Sequence, residues 1–463
     1  MMPRLLSVIA HEVDGRLDGA DAEVTHVVTD SREAGPGALF VALRGERADG
    51  VRYVPDALAA GAAGALVPDG TAASRAFISE GAGPPGATVV VASTGEALLR
   101  LGSVEREHIP TCVGVTGANG KTSTKDMTAA VASRKHRTHA SPGSFNNEIG
   151  LPMTMLGAPP GTEVVVAELG ARRKGDVAML CEIAQPEIVV VTNVGVAHLE
   201  IFGSWDAIVE ASAEPVDAVP AGGWAVLNAD DPVVAGYRSR CAGRVMTFGV
   251  HAEADVRAAA VSIGADAMAR FDVIVDEHRA PVTLAVAGEH MVPNALAAVA
   301  VGRILGVPLE DCAETLSSAR ISRWRMETFV TADGIRVIND AYNANPESMA
   351  AALKAARVMA RDARLIAVLG HMAELGPIAG EEHERLGDLA ARLRIDRVVA
   401  VGALAEPIAV SAVREGVEPD NVAAYDDPVE ALADVRAHAR PGDVVLFKGS
   451  RVAGLERLAE ALR

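Results

Sequence analysis

The sequence predicts an α/β protein of three domains: a small N-terminal α/β domain (1–109), a central domain built on a parallel sheet (110–320) and a C-terminal doubly wound domain (321–463). Three observations lead there. At 463 residues the chain is too long for one core, and about 150 residues per domain gives about three. Apolar residues make up 49% and charged residues 22%, a globular composition in which small Ala, Val and Gly suit close helix-on-sheet packing. Finally, short β-branched runs such as 164–167 and 188–191 alternate with helical stretches, as in a parallel sheet covered on both faces.

Taken in order, the first segment has short strands at 38–43 and 88–92. An Ala-rich helix at 55–60 runs into Gly61, and a Gly/Pro-rich stretch, EGAGPPGAT, precedes a polar helix before Ile109. The second opens with Pro110, a β-rich TCVGVT, a glycine-rich turn and a helix from Lys121. Pro293 starts another helix that continues to Leu305, since proline suits a first helical position. The third reads strand 335–339, helix 346–360, strand 365–369, helix 381–393, strand 398–401 and strand 444–447 before a last helix. Repeated β-α-β of this kind is a doubly wound unit of Rossmann-like type. Pro215 is expected to disturb the helix it falls in.

Charge narrows the function. The formal balance of 43 basic and 61 acidic residues gives −18, which repels nucleic-acid phosphates and anionic membrane surfaces. Aromatics at 3% argue against base stacking. An anionic small substrate stays open through local basic groups, Arg172-Arg173-Lys174 and Arg320, Arg323 and Arg325. Cys112, Cys181, Cys241 and Cys312 lie far apart without a C-x-x-C pair, which points to reduced thiols in a cytosolic setting. The N-terminal apolar stretch is broken by His11 and Glu12, and no run reaches the roughly 18 apolar residues of a membrane span. A cytoplasmic monomer without nucleic-acid or membrane partners is the expectation.

The strongest local signal is Gly114-Val-Thr-Gly117-Ala118-Asn119-Gly120-Lys121-Thr122-Ser123, after a predicted strand and opening a helix. Glycines let backbone N–H groups approach phosphate oxygens, and a helix N-terminus adds partial positive charge. Lys121 then reaches the β/γ-phosphates and Thr122 offers its hydroxyl to Mg²⁺, so ATP and Mg²⁺ are the expected cofactors on a P-loop ATPase-like central sheet. A chance lysine after a glycine turn is the plainer alternative; the strand–turn–helix context outweighs it. The spacing is not G-x-x-x-x-G-K-T, because Val115 stands five before Gly120 and the glycines recur every third residue.

This TGxNGKTS form resembles the Mur ligase and folylpolyglutamate synthetase superfamily, whose members phosphorylate a carboxylate with ATP and let an amine displace the phosphate. The resemblance covers nearly the whole chain: Asp30-Ser31-Arg32, LFVALRGERADG, SFNNEIGLP, AELGARRKGD, TNVGVAHLEIFGS, SRWRME, NDAYNANPESM, AVLGHMAELG and FKGSR. Within the Mur ligase family it is similar to the branch that adds D-alanyl-D-alanine to UDP-N-acetylmuramoyl-tripeptide in peptidoglycan synthesis. The resemblance implies a catalytic set of Lys121, Glu168, His198 and Arg325. It implies nucleotide binding by Gly117, Ala118, Asn119, Gly120, Lys121, Thr122 and Ser123, with Asn294 at adenine, Arg325 at the γ-phosphate and Asp340 at ribose. Thr122, Glu168 and His198 are then the metal-side residues. Ser31 and Arg32 fall in a uridine-diphosphate region, Asn146 and Asn147 in a substrate segment, and Tyr342, Asn343 and Asn345 face the dipeptide. Lys448 and Arg451 are weaker members of the site. The N-x-N-P of Asn343–Pro346 also has a turn-forming reading of its own.

The chain departs from the family at one charged position. Where relatives carry a lysine whose carbamate serves a second metal ion, this sequence has Ser212, and no lysine occurs between Lys174 and Lys354. Met291 stands where relatives have Asn, and His371 where they have Asp. Two alternatives accompany the ligase reading: a paralogue joining another amine to another carboxylate, and a low-activity nucleotide-binding homologue.

Overall fold

The computed structural model describes residues 1–45, 48–70, 87–196 and 199–463. The chain forms two compact units: Met1–Gly114 with His136–Gly170 and Val177–Ile188, and Val115–Lys135 with Ala171–Asp176 and Val189–Arg463. Residues of the middle stretch therefore contribute to both.

In the first unit a five-stranded sheet runs in the order Arg16–Asp18, Ala87–Val91, Gly64–Pro68, Ala38–Val41, His26–Val28. All pairs are parallel except the edge strand Arg16–Asp18. Successive side chains of a strand point to opposite faces, and the sequence uses both. Leu39, Val41, Leu66, Val89 and Val91 enter one core with Leu6, Ile9, Leu98 and Leu101. Phe40, Ala65, Val67 and Val90 enter the other with Val54, Ala57 and Leu58. Runs such as ALFV read as continuously apolar for that reason. Ser93 caps the helix Thr94–Arg106 by accepting from the Glu96 N–H at 3.3 Å, the helix expected from its polar pattern. The expected Gly/Pro-rich stretch before it lies mostly outside the described residues, as do Glu46 and Arg47 of the LFVALRGERADG motif. The unit also holds the parallel pair Thr138–Ala140 and Val164–Glu168.

In the second unit, strands Trp224–Asn228 and Arg244–Gly249 are parallel, and Gly249 leads onto an extension that the sequence reading does not foresee. Val256–Ile263, Met268–Val275 and His278–Ala287 form an antiparallel ribbon. The helix Met291–Ile304 begins two residues before Pro293, because a proline in the first turn removes only an N–H that has no helical partner. It packs on the helix Lys121–Ala132, where Gly302 admits Val131 and Cys312 at close range. Pro215, expected to disturb its helix, does not end it: the helix Trp205–Asp217 continues through it. Pro215 lies in the last turn, so one backbone bond is lost, and its ring is buried.

A six-stranded sheet completes this unit, in the order Glu327–Val330, Arg336–Asn339, Val444–Lys448, Leu365–Gly370, Arg397–Val401, Val422–Tyr425. Only the first pair is antiparallel. The strand last in sequence, Val444–Lys448, lies between Arg336–Asn339 and Leu365–Gly370, so the connections diverge there. The carboxyl ends of strands at such a point are where open α/β sheets bind ligands. The protein is thus mixed α/β, built largely on parallel sheets.

Candidate functional site

At the glycine-rich loop, two glycines are required by geometry. Gly120 sits at φ 82° immediately before the helix Lys121–Ala132, and a Cβ there would overlap the amide oxygen of buried Asn294. Gly117 sits at φ 132°, and a Cβ would overlap the Thr192 hydroxyl. That hydroxyl is pinned, donating to the carbonyls of Asn119 at 2.6 Å and Thr116 at 3.2 Å. Asn193 holds the loop from the same side. Its Oδ1 accepts the Asn119 N–H at 2.8 Å, its carbonyl accepts the Ala118 N–H at 3.0 Å, and its Nδ2 donates to the Asn119 carbonyl at 3.1 Å. Asn228, at the end of the next strand, donates to the Thr192 carbonyl at 2.8 Å. The Ala118 and Asn119 amides are therefore used within the protein, which leaves the helix start from Gly120 to Ser123 as the part of the loop suited to an anion. Lys121 Nζ donates to the carbonyls of Gly117 at 2.6 Å and Ala118 at 3.2 Å, curling over the loop.

The strand ends of the six-stranded sheet bring further expected residues to this loop. Arg325 Nη2 donates to Thr122 Oγ1 at 2.8 Å, and its guanidinium lies over the Tyr342 ring, 4.2 Å from the centroid. Asn345 Nδ2 donates to Asn119 Oδ1 at 2.7 Å. Because Asn339 is in register with Phe447, the next residues, Asp340 and Lys448, face each other, and Lys448 Nζ meets Asp340 Oδ2 at 2.7 Å. Lys448 also donates to the Asn343 carbonyl at 3.1 Å, while Asp340 Oδ1 accepts the Met326 N–H at 3.1 Å. His290 lies half-buried beside this pair: desolvation pushes its imidazole below the ordinary value, Asp340 opposes that and Lys448 adds to it. Asn294 donates to the Met291 thioether at 3.6 Å, a weak acceptor. Arg451 stacks on Trp324, 4.6 Å from the centroid.

The first unit holds its own cluster. Glu168 ends the strand Val164–Glu168 and is 1% exposed. Its Oε1 accepts from Asn146 Nδ2 at 2.8 Å, and its N–H donates to Ser141 Oγ at 3.1 Å. Gly170 has no room for a Cβ because Asn146 lies against it. Asn147 Oδ1 accepts the Gly150 N–H at 2.8 Å and so opens the helix Gly150–Leu156. Ser31 and Arg32 lie in the short turn Ser31–Glu33, whose cap is Asp30; the hydrogen-bonded Arg32 side chain holds the Asp30 carboxyl at about 2. Arg32 points into solvent. His198 lies outside the described residues.

Ser212 is half-buried in the helix Trp205–Asp217. The nearby glutamates have partners of their own. Glu210 pairs with Arg240 at 3.2 Å, and Glu214 Oε1 accepts the Gly175 N–H at 2.7 Å. Among the described residues, no group of three or more His, Cys, Asp or Glu side chains is arranged for a metal ion, and none of the four cysteines forms a disulfide.

Sequence reasoning missed Thr192, Asn193, Asn228 and His290. The first three sit at or just beyond strand ends, where the rule that places ligands at carboxyl ends of strands would have found them. His290 is the cap of the helix Met291–Ile304, whose start the sequence pattern places two residues late, at Pro293.

Family comparison gives a consistent picture. Residues 23–105 match the Mur ligase family catalytic domain, 115–302 the Mur ligase middle domain, and 324–451 the Mur ligase glutamate ligase domain. The chain is 42% identical to the UDP-N-acetylmuramoyl-tripeptide–D-alanyl-D-alanine ligase of Mycobacterium tuberculosis, over 96% of this chain and 93% of that one. In structure it is similar to MurF from Acinetobacter baumannii, with a TM-score of 0.86 and 32% identity over 100% and 99% of the two chains. It is also similar to the MurF ligase of Thermotoga maritima in complex with ADP, with a TM-score of 0.79 and 28% identity over 95% and 97%.

Proposed function

The chain belongs to the Mur ligase family, and from that premise we infer that it joins D-alanyl-D-alanine to UDP-N-acetylmuramoyl-tripeptide at the expense of ATP, in cytoplasmic peptidoglycan synthesis. The observation that carries the reading is the loop Gly117–Thr122, with Lys121 curled over it and Arg325 on the Thr122 hydroxyl.

The tripeptide carboxylate attacks the γ-phosphorus of ATP, its P–O bond to ADP breaks, and an acyl phosphate forms. The dipeptide amine then attacks the acyl carbon, phosphate leaves, and the amine gives up its proton. Charge grows on phosphate oxygens in both steps, so fixed donors aimed there lower the barrier. Gly120 and Ser123 present the helix start, Lys121 swings from its loop carbonyls to the β/γ-phosphates, and Arg325 meets the γ-phosphate. Asn294, against Gly120, takes the adenine side. Asp340 takes the ribose; each of its oxygens accepts one bond here, and a carboxylate has about four acceptor sites. Thr122 and Glu168 offer hard oxygen donors of the type Mg²⁺ prefers, and the near-complete burial of Glu168 fits an ion partner. His198 joins them by family resemblance. Bound magnesium supplies charge neutralisation at the phosphates. Asn146, held on Glu168, and Asn147 serve the tripeptide side, with Ser31 and Arg32 at its uridine diphosphate; Tyr342, Asn343 and Asn345 serve the dipeptide side.

Three domains, 1–109 for the UDP-sugar, 110–320 for ATP and 321–463 for the dipeptide, organise this work, and the three matched stretches support them. The protein acts as a monomer. A paralogue with other substrates has no need of the Asp30-Ser31-Arg32 motif, which is present. Phosphate release from Mg-ATP, measured with the UDP-linked tripeptide and D-alanyl-D-alanine singly and together, tests the proposal. Release only with both supports it. ATP binding without turnover would make the chain a nucleotide-binding homologue instead.

A further inference from the structure

We propose that Asp126 is a positioning residue for the phosphoryl transfer, acting through Ser322 on Arg325. The inference rests on the ligase reading above. Thr122 and Asp126 lie one turn apart on the helix Lys121–Ala132 and therefore share a face. The segment Ser322–Arg325 is fastened to that face at both ends. Asp126 Oδ2 accepts the Ser322 N–H at 2.7 Å and the Ser322 hydroxyl at 2.8 Å, and Thr122 Oγ1 accepts from Arg325 at 2.8 Å. The other carboxylate oxygen of Asp126 pairs with Lys125 Nζ at 2.6 Å, and both side chains are largely buried. With both oxygens engaged, Asp126 orients its neighbours rather than binding a ligand. Hydrogen bonds to an ionised carboxylate are short and strong, so this end of the segment is firmly set.

The backbone explains why a clamp is needed. Trp324 at φ 62° and Met326 at φ 53° flank Arg325, and neither is glycine. Left-handed conformations at bulky residues are strained and persist only where surrounding contacts over-determine them. Those contacts are Asp126 on Ser322 before the strained pair, and Asp340 and Glu327 on the Met326 and Trp324 N–H groups. Released at Ser322, the segment relaxes and takes the Arg325 guanidinium away from the nucleotide.

The test compares Asp126→Ala, Ser322→Ala, Ser322→Thr and Arg325→Ala in the full chain. At saturating Mg-ATP, kcat for phosphate release should fall about ten- to hundredfold in the first two, because a shift of about 1 Å at a positioned group costs that much. KM for D-alanyl-D-alanine should not follow, and Ser322→Thr, which keeps the hydroxyl, should recover the rate. Adding Asp126→Ala to Arg325→Ala should cost nothing more, since residues acting as one unit are non-additive. A second readout needs no turnover. With Trp205 and Trp224 replaced by Phe, acrylamide quenching of Trp324 fluorescence should rise on Asp126→Ala or Ser322→Ala. Multiplicative losses of kcat, or unchanged quenching in both variants, overturn the proposal. A wild-type protein without turnover overturns the ligase reading alone, and the quenching comparison still decides the clamp; if Asp126→Ala does not fold, the Ser322 pair carries both arms.

Discussion

By the resemblance read from the sequence, Ser212 stands at the position of a lysine whose carbamate would add a negative charge to the metal side of the site. A neutral hydroxyl close to the backbone cannot reach or charge that position, and Glu210 and Glu214 are held by Arg240 and the Gly175 N–H. Ser212→Lys should therefore raise kcat, by as much as about 10²–10³-fold if the charge is worth what a single transition-state-stabilising group is worth elsewhere. The gain should depend on added bicarbonate in degassed buffer, measured by phosphate release; an unchanged rate would mean that the site meets its charge requirement by another route. The loop glycines allow a second prediction at this scale. Gly120→Ala forces a methyl group against Asn294 at a φ that only glycine adopts without strain, so Mg-ATP affinity measured by calorimetry should fall at least about tenfold. Affinity within twofold of wild type would contradict the packing described for this loop.

Among the elements, the helix Pro346–Ala360 shows how local signals and the site share one residue. Asn345 caps it in a capping box with Ser348, and Pro346 occupies its first turn, so the start of this helix is legible in the sequence. The same side chain donates to Asn119 of the phosphate loop, and no local pattern announces that. Separating the two roles gives a prediction. Asn345→Ala should lower stability by about 0.5–2 kcal/mol, while Asn345→Ser, still a good cap, should stay near wild type. Both lose the bond to Asn119 and should weaken ATP binding by a similar, roughly two- to tenfold factor. Thermal unfolding and calorimetry check the pair, and an Ala variant that binds ATP normally would show the link to be idle. Other elements are less legible for physical reasons. The ribbon Val256–Ala287 opens with the Ala-rich strand Val256–Ile263, whose alternation is muted, and Val422–Tyr425 is a four-residue strand, VAAY, too short and too Ala-rich to stand out between the helices Glu406–Arg414 and Pro428–His438. At the site, Lys121, Thr122 and Arg325 stand in motifs, whereas Asp126 and Ser322 meet across 196 positions through the tertiary fold alone.

For the molecule as a whole, parallel runs and β-α-β order made the fold class readable, while the pairing of buried polar groups was not. Three histidines, buried His383 and half-buried His290 and His371, make that pairing a property of the entire protein, because desolvation pushes all three below the ordinary imidazole value of about 6.5. At His383 the geometry fixes the neutral form. Nε2 accepts the Met372 N–H at 2.8 Å, and Nδ1 lies 2.6 Å from the Ala379 carbonyl and must carry the proton. A second proton on Nε2 would set two donors against each other. The unfolded chain takes up protons near pH 6.5 while the folded chain refuses them, so the unfolded state binds more protons just below that pH. Stability is then fully present above about pH 6.5 and is lost as pH falls through the lowered range. The net charge of −18 acts in the opposite direction, since protonation relieves self-repulsion, so the raw pH profile mixes two effects. Asp30 and Asp266, held at about 2, titrate well below this window. Comparing wild type with His383→Gln isolates the histidine part: glutamine can accept from Met372 and donate to Ala379 without titrating. Thermal unfolding between about pH 7 and 5 should show a shallower loss of stability in the variant, and equal slopes would remove His383 from the account.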